Sequence, residues 1–183
     1  GGKAIFLIDP MRVNLDSIGE NGTYAFPYEL GLTDLLFNYG VRLNSDLIQD
    51  FYCGVIPMFV GYEGDQPQTK LMPWRFYSII NKFSNHPISK SLGAVRARFA
   101  STIDTVKAIG IKKTPLLFTS KNSRIFPAPV RLNFNDARLE LDPAIFTKGP
   151  LPIGYVLEGD FQSVFKNKLE KSKRERCKYE GLA

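Results

Sequence analysis

A chain of 183 residues with 44% hydrophobic and 13% aromatic content is long enough to bury a core and too apolar for disorder. No run approaches the roughly 20 apolar residues of a membrane helix, and two cysteines, Cys53 and Cys177, are too few for a disulfide framework and lack metal-ligand spacing. The net charge of +6 is local: residues 166–178 carry seven basic and two acidic side chains, leaving +1 for all the others, which argues against a nucleic-acid surface on the body of the chain.

Gly1-Gly2-Lys3 leads straight into an apolar run without Met or a signal peptide, so the chain is expected to be a fragment of a longer protein. Lys3 to Pro10 reads as a strand buried on both faces, as in a parallel sheet, stopped by Asp9-Pro10. A polar loop from Met11 to Tyr24 follows, with Asn21-Gly22 as its turn signal. Tyr28 to Tyr39 predicts a helix with Leu32, Leu35, Leu36 and Tyr39 on one stripe and Gly40 as the stop. With the short strand Val41 to Asn44 these segments make a βαβ unit.

The middle of the chain reads differently. Val55 to Tyr62 and Thr69 to Tyr77 are rich in β-branched and aromatic residues around the turn-forming Glu63 to Pro67, which predicts a β-hairpin. Ala94 to Ala108 is strand-like with a bend expected near Asp104. Pro115 to Ser120 repeats the opening pattern, Asn135 to Leu141 and Pro143 to Phe146 read as short helices, and Pro152 to Glu158 is a last strand. The sum is a single α/β domain over residues 1–165, with a mixed, mostly parallel sheet flanked by helices and an inserted β-hairpin. Residues 166–183 form a basic tail or helix. The bold reading of that segment is a polybasic arm for phosphates or anionic lipid; the solvated helix face, with Glu170 and Arg174 at i,i+4, fits charge runs better.

Ligands of open α/β sheets sit beyond the carboxyl ends of strands. This rule nominates Asp9, Arg12, Asn14 and Asp16 in the first loop, and Ser120 and Arg124, beside Thr119 and Asn122, in the second. Trp74 and Arg75 are candidate interface anchors, with an aromatic core cluster as the plainer reading of Trp74. The single histidine, His86, is a general base on the functional reading and a local structural hydrogen bonder on the plainer, preferred one. Cys53 sits in an apolar setting where an inert buried thiol is the default, and Cys177, among charges, is expected to be exposed. Neither a nucleophile elbow, a phosphate-cradling glycine loop nor a metal motif occurs, so no catalytic residue, metal or cofactor is assigned. A shared Mg²⁺ at Asp9 and Asp16 gives way to a turn at Asp9-Pro10 and an exposed Asp16. The rival hydrolase-like reading requires His86, Asp9 and Ser120 to converge in one cleft.

Several separated phrases resemble the GldG family, the gliding-motility-associated auxiliary, or substrate-binding, component of an ABC transporter in Bacteroidetes. They are Ile8-Asp9-Pro10 with Asn14-Leu15-Asp16, Leu32 to Leu36 with Tyr39 to Arg42, Gln49-Asp50, Asn81 to Ser89, Ser101 to Asp104, and Thr114 to Ser120. The resemblance runs from about Lys3 to about Lys168. It implies a non-enzymatic extracytoplasmic domain on the periplasmic side of the inner membrane, tethered by a segment outside this chain. Its partners would be ABC permease and ATPase subunits, with an unknown small ligand in addition and no nucleic acid. The implied sheet is similar to the class I glutamine amidotransferase-like and flavodoxin-like folds. The nucleophile-elbow cysteine of that fold is missing here, so its chemistry is not carried over, and the family supplies no ligand residues to transfer.

Overall fold

The computed structural model describes residues 2–19 and 21–164; the basic segment 166–178 and Cys177 lie outside the described residues. In chain order the strands are β1 (Met11–Arg12), β2 (Thr23–Pro27), β3 (Val41–Leu43), β4 (Asp46–Asp50), β5 (Cys53–Glu63), β6 (Gln66–Ile80), β7 (Lys82–Phe83), β8 (Val95–Arg98), β9 (Ile103–Thr105), β10 (Ile111–Phe118), β11 (Ser123–Pro127), β12 (Val130–Leu132) and β13 (Pro152–Gly159). One α-helix, α1 (Thr33–Asn38), lies between β2 and β3, and two 3₁₀ turns cover Phe134–Arg138 and Pro143–Ile145.

The strands form small sheets in the orders β1-β2-β12, β13-β10-β7, β11-β4, β3-β9 and β5-β6-β8. Every one of these pairings is antiparallel, which overturns the expected mostly parallel α/β sheet of amidotransferase-like or flavodoxin-like type. A continuous apolar run reports that both faces of a strand are covered; it does not report the direction of its neighbours. β10 shows this, being half-buried along nearly its whole length between antiparallel partners. Parallel neighbours need long crossovers, usually helices. Among the described residues the one α-helix has six residues, and the strand after it pairs antiparallel with β9, so there is no βαβ unit.

Three local expectations change as well. Residues 3–10 form no ladder, and Ile5 and Leu7 are 89% and 95% exposed, so the predicted buried strand is an extended, uncovered segment. The helix starts at Thr33 instead of Tyr28 because Gly31 adopts a left-handed φ of +66°, which breaks the predicted helix before Leu32. Within residues 94–108 the break falls at Phe99, whose φ of +52° is strained for a non-glycine residue, while Asp104 lies inside β9.

The predicted hairpin is present as β5 and β6, paired from Cys53↔Ser78 to Glu63↔Gln66 around Gly64 at φ +62°. Period-two alternation turns Ile56, Met58, Trp74 and Phe76 inward at its base. There they meet Met11, Ala25, Leu47, Val130, Leu132 and Ala137 in one core, with Phe99, Phe126 and Phe134 packed around it. The distal part loses the alternation at the register shift between Phe59 and Gly61, and Phe59, Val60, Tyr62 and Leu71 are exposed. No helix among the described residues is long and apolar enough to cross a membrane.

Candidate functional site

β4 is buried at all five positions, and it carries polar side chains at three of them. The chain manages this by giving each carboxylate hydrogen-bond donors from a different loop. Asp46 accepts from the Thr102 backbone N–H at 2.8 Å and from the Thr102 hydroxyl, while its own carbonyl accepts from Ser101 Oγ. Asp50 is fully buried and accepts from the N–H groups of Tyr52 at 2.9 Å and Ser120 at 2.8 Å, and from Ser120 Oγ. Ser120 Oγ in turn accepts from the Asn122 N–H at 3.0 Å. Ser120 is therefore a fastener of the β10–β11 connection.

Gln49, between these carboxylates, belongs to a different environment. A cleft of about 190 Å³ is lined by Gln49 from β4, Trp74, Arg75 and Phe76 from β6, Arg124 and Phe126 from β11, and Arg131 from β12, and is closed by Asp136, Leu139 and Leu141. Gln49 and Arg124 are cross-strand partners, and Gln49 Oε1 accepts from Arg124 Nε at 2.9 Å and Nη2 at 2.6 Å. The Arg124 guanidinium lies 4.8 Å from the ring centre of Phe126 and 4.7 Å from that of Phe146. Arg75 stacks at 4.6 Å on Phe51, which meets Phe146 edge to face, and donates from Nη1 to the Phe51 carbonyl at 2.8 Å and to Cys53 Sγ at 3.3 Å. Aromatic faces thus hold both guanidinium planes.

The electrostatics of the cleft are uneven. Three arginines and one carboxylate line it, and none of the three arginines forms an ion pair among the described residues. Burial, and then the charge of Arg75, hold Arg124 below the ordinary arginine pKa, with Asp136 opposing them. Trp74 is 1% exposed, and its Nε1–H has no acceptor among the described residues. Burial pushes the Cys53 thiol up from its ordinary value against the opposing pull of Arg75, so the half-buried thiol stays protonated at neutral pH.

Of the nine candidates read from sequence, Trp74, Arg75 and Arg124 meet in this cleft. Asp9 and Arg12 line a separate open depression with Met11, Val13, Tyr28 and Leu30. Asn14 is spent on an Asx turn, its Oδ1 accepting from the exposed Asp16 backbone N–H at 3.0 Å. His86 Nδ1 accepts from the Ile88 N–H at 3.2 Å inside its own turn. His86 and Ser120 line neither of these two recesses, and Asp9 lies in the second, so neither recess gathers the triple that a hydrolase reading requires. No three His, Cys, Asp or Glu side chains among the described residues are grouped to share a metal.

Sequence reasoning missed Gln49, Asp136 and Arg131 in the cleft and Asp50 behind it. The available signal was Gln49-Asp50, two polar residues set between Leu47-Ile48 and Phe51-Tyr52: on a buried strand these must each find a partner.

A family model described as an ABC-type uncharacterized transport system matches residues 1–180. No curated protein and no solved structure matches the chain.

Proposed function

The chain belongs to this family, an auxiliary component of an ABC-type transport system, and we propose that it is a non-enzymatic, extracytoplasmic domain working beside separate permease and ATPase subunits. The observation that carries the reading is the family match over residues 1–180. Gliding motility and a periplasmic position at the inner membrane are the narrower part of the proposal. They rest on the resemblance of the Gln49-Asp50, Asn81 to Ser89 and Thr114 to Ser120 phrases to the GldG family. The exposed Phe59, Val60, Tyr62 and Leu71 of the hairpin offer an apolar contact surface of the kind an auxiliary subunit needs.

Two experiments test it. Affinity purification of the chain from its native membrane in mild detergent should bring down a permease and an ATPase; recovery with neither overturns the partner assignment. In a Cys53→Ser, Cys177→Ser background, a cysteine placed at Ile109, which is 92% exposed, should react with a membrane-impermeant maleimide in cells whose inner membrane is intact. Protection until that membrane is broken overturns the location.

A further inference from the structure

The cleft holds more positive charge than its surroundings balance. Arg75, Arg124 and Arg131 face only Asp136 there. Two of the three guanidiniums are fixed against aromatic rings, so the entropy of positioning them is already lost before anything binds. A guanidinium has five N–H donors in a fork that matches a carboxylate. Arg75 uses only Nη1 and Arg124 only Nε and Nη2, leaving each fork with donors to spare. Beside them the buried indole N–H of Trp74 lacks an acceptor among the described residues. Unpaired buried donors are uncommon enough to ask for an explanation. The remaining walls are apolar, from Trp74, Phe76, Phe126, Leu139 and Leu141.

We propose that this cleft binds a small organic carboxylate, its charged end held by Arg75 and Arg124 and its apolar body lying against Trp74, Leu139 and Leu141. Three features select the class. The net positive charge calls for an anion. The apolar walls disfavour a strongly hydrated inorganic dianion, which would lose its water against Trp74, Phe76, Phe126, Leu139 and Leu141. The volume of about 190 Å³ lies below the range of pockets for drug-sized ligands, so the body is about the size of one ring or one branched aliphatic chain. An anion here also relieves the mutual repulsion of Arg75 and Arg124. The inference stands on the cleft alone: a chain that brings down no transporter subunits can still bind the carboxylate, and the reverse.

The chain contains one tryptophan, so the indole N–H resonance of Trp74 is a single, unambiguous probe. Benzoate titrated into the isotope-labelled 183-residue chain should shift that resonance saturably, and benzamide, its neutral isostere, should not. Arg124→Gln should weaken benzoate by about tenfold or more, the scale of a lost charge-assisted hydrogen bond. Arg124→Lys, which keeps the charge and loses the fork, should fall in between. Leu141→Phe fills the cleft while leaving every arginine in place and should abolish the shift, so the test survives if Arg124→Gln does not fold. No saturable shift with benzoate overturns the proposal, as does an equal response to benzamide. Inorganic phosphate binding as tightly as benzoate overturns the apolar-body assignment, and unchanged affinity in both Arg124→Gln and Leu141→Phe overturns the location.

Discussion

Gln49 and Asp50 are neighbours on one buried strand, yet the two polar clusters they belong to are finished differently. Around Asp50 the carboxylate has donors from two loops, and the hydroxyl it holds is itself an acceptor for the next turn. Around Gln49 two arginines are held in position, stacked on rings, and form no ion pair among the described residues, and a buried indole N–H has no acceptor among them either. Both clusters are polar and both sit against the core. The difference teaches how to sort them: a satisfied network is spent on holding loops together, whereas a preorganised and unsatisfied one keeps interactions in reserve.

If that sorting is right, stability should respond to the first cluster and barely to the second. The largest effect is expected for Asp50→Ala, which strands two backbone N–H groups and a hydroxyl; urea unfolding should show a loss of about 3 kcal/mol, with Asp46→Ala somewhat smaller at about 2 kcal/mol. A change under about 1 kcal/mol in Asp50→Ala would break the comparison. Arg124→Gln should cost no more than about 1 kcal/mol, the lost stacking being partly offset by relief of the repulsion with Arg75. A loss as large as that of Asp50→Ala would place Arg124 in the structural group.

Two smaller effects sharpen the boundary. Cys53 touches Arg75 at the edge of the cleft, and burial raises its thiol pKa. In a Cys177→Ser background, the rate of alkylation should therefore rise at higher pH than for an ordinary thiol. Arg75→Gln removes the opposing charge and should move that rise further up. Because the folded thiol holds its proton longer than the unfolded one, its contribution to stability is complete below the ordinary thiol pKa. It is lost as pH climbs through the raised value. The exposed Arg42–Asp104 pair is the reference for a polar contact with little at stake. The hydrogen bond from Arg42, helped by Asn44, holds Asp104 below the usual carboxylate pKa against a small desolvation effect. Its contribution is present above the ordinary Asp pKa and disappears as pH falls through the lowered one. Arg42→Ala should cost no more than about 0.5 kcal/mol in thermal or urea unfolding.

Where local chemistry decides the outcome, the sequence was readable. The Glu63 to Pro67 turn, the last strand, and the 3₁₀ turns behind Asn133 and Asp142, whose side chains cap Asn135 and Ala144, all follow from neighbours a few residues apart. Strand direction did not follow, because Pro115 to Phe118 shows the same apolar run whichever way its partners point. Nor did the burial of residues 3–10: Ile5 and Leu7 carry the pattern of a covered strand while nothing among the described residues covers them. At the site, Trp74 and Arg75 stood out by residue type, and Arg124 by its place after the Pro115 to Ser120 run. His86 stood out by type and Ser120 by place, and both are held in structural contacts instead, since neither type nor place states whether the fold has already used a side chain.

The order in which these strands pair has a consequence for how the molecule is made. The β5–β6 hairpin closes on itself, but Leu132 pairs with Thr23 and Pro127 with Asp46 across roughly a hundred residues of chain, and such closures are slow because their loop entropy is lost before any contact forms. Gln49 and Arg75 lie on the early side of that closure, and Arg124, Arg131 and Asp136 arrive with the late side. Refolding followed from urea should show the hairpin region forming first, on the microsecond scale of isolated hairpins, and the β2–β12 seam forming much later. The arginine cluster is then completed only by the late pairings, and a nascent chain carries its separated halves with no cleft until β11 and β12 have closed on β4 and β2.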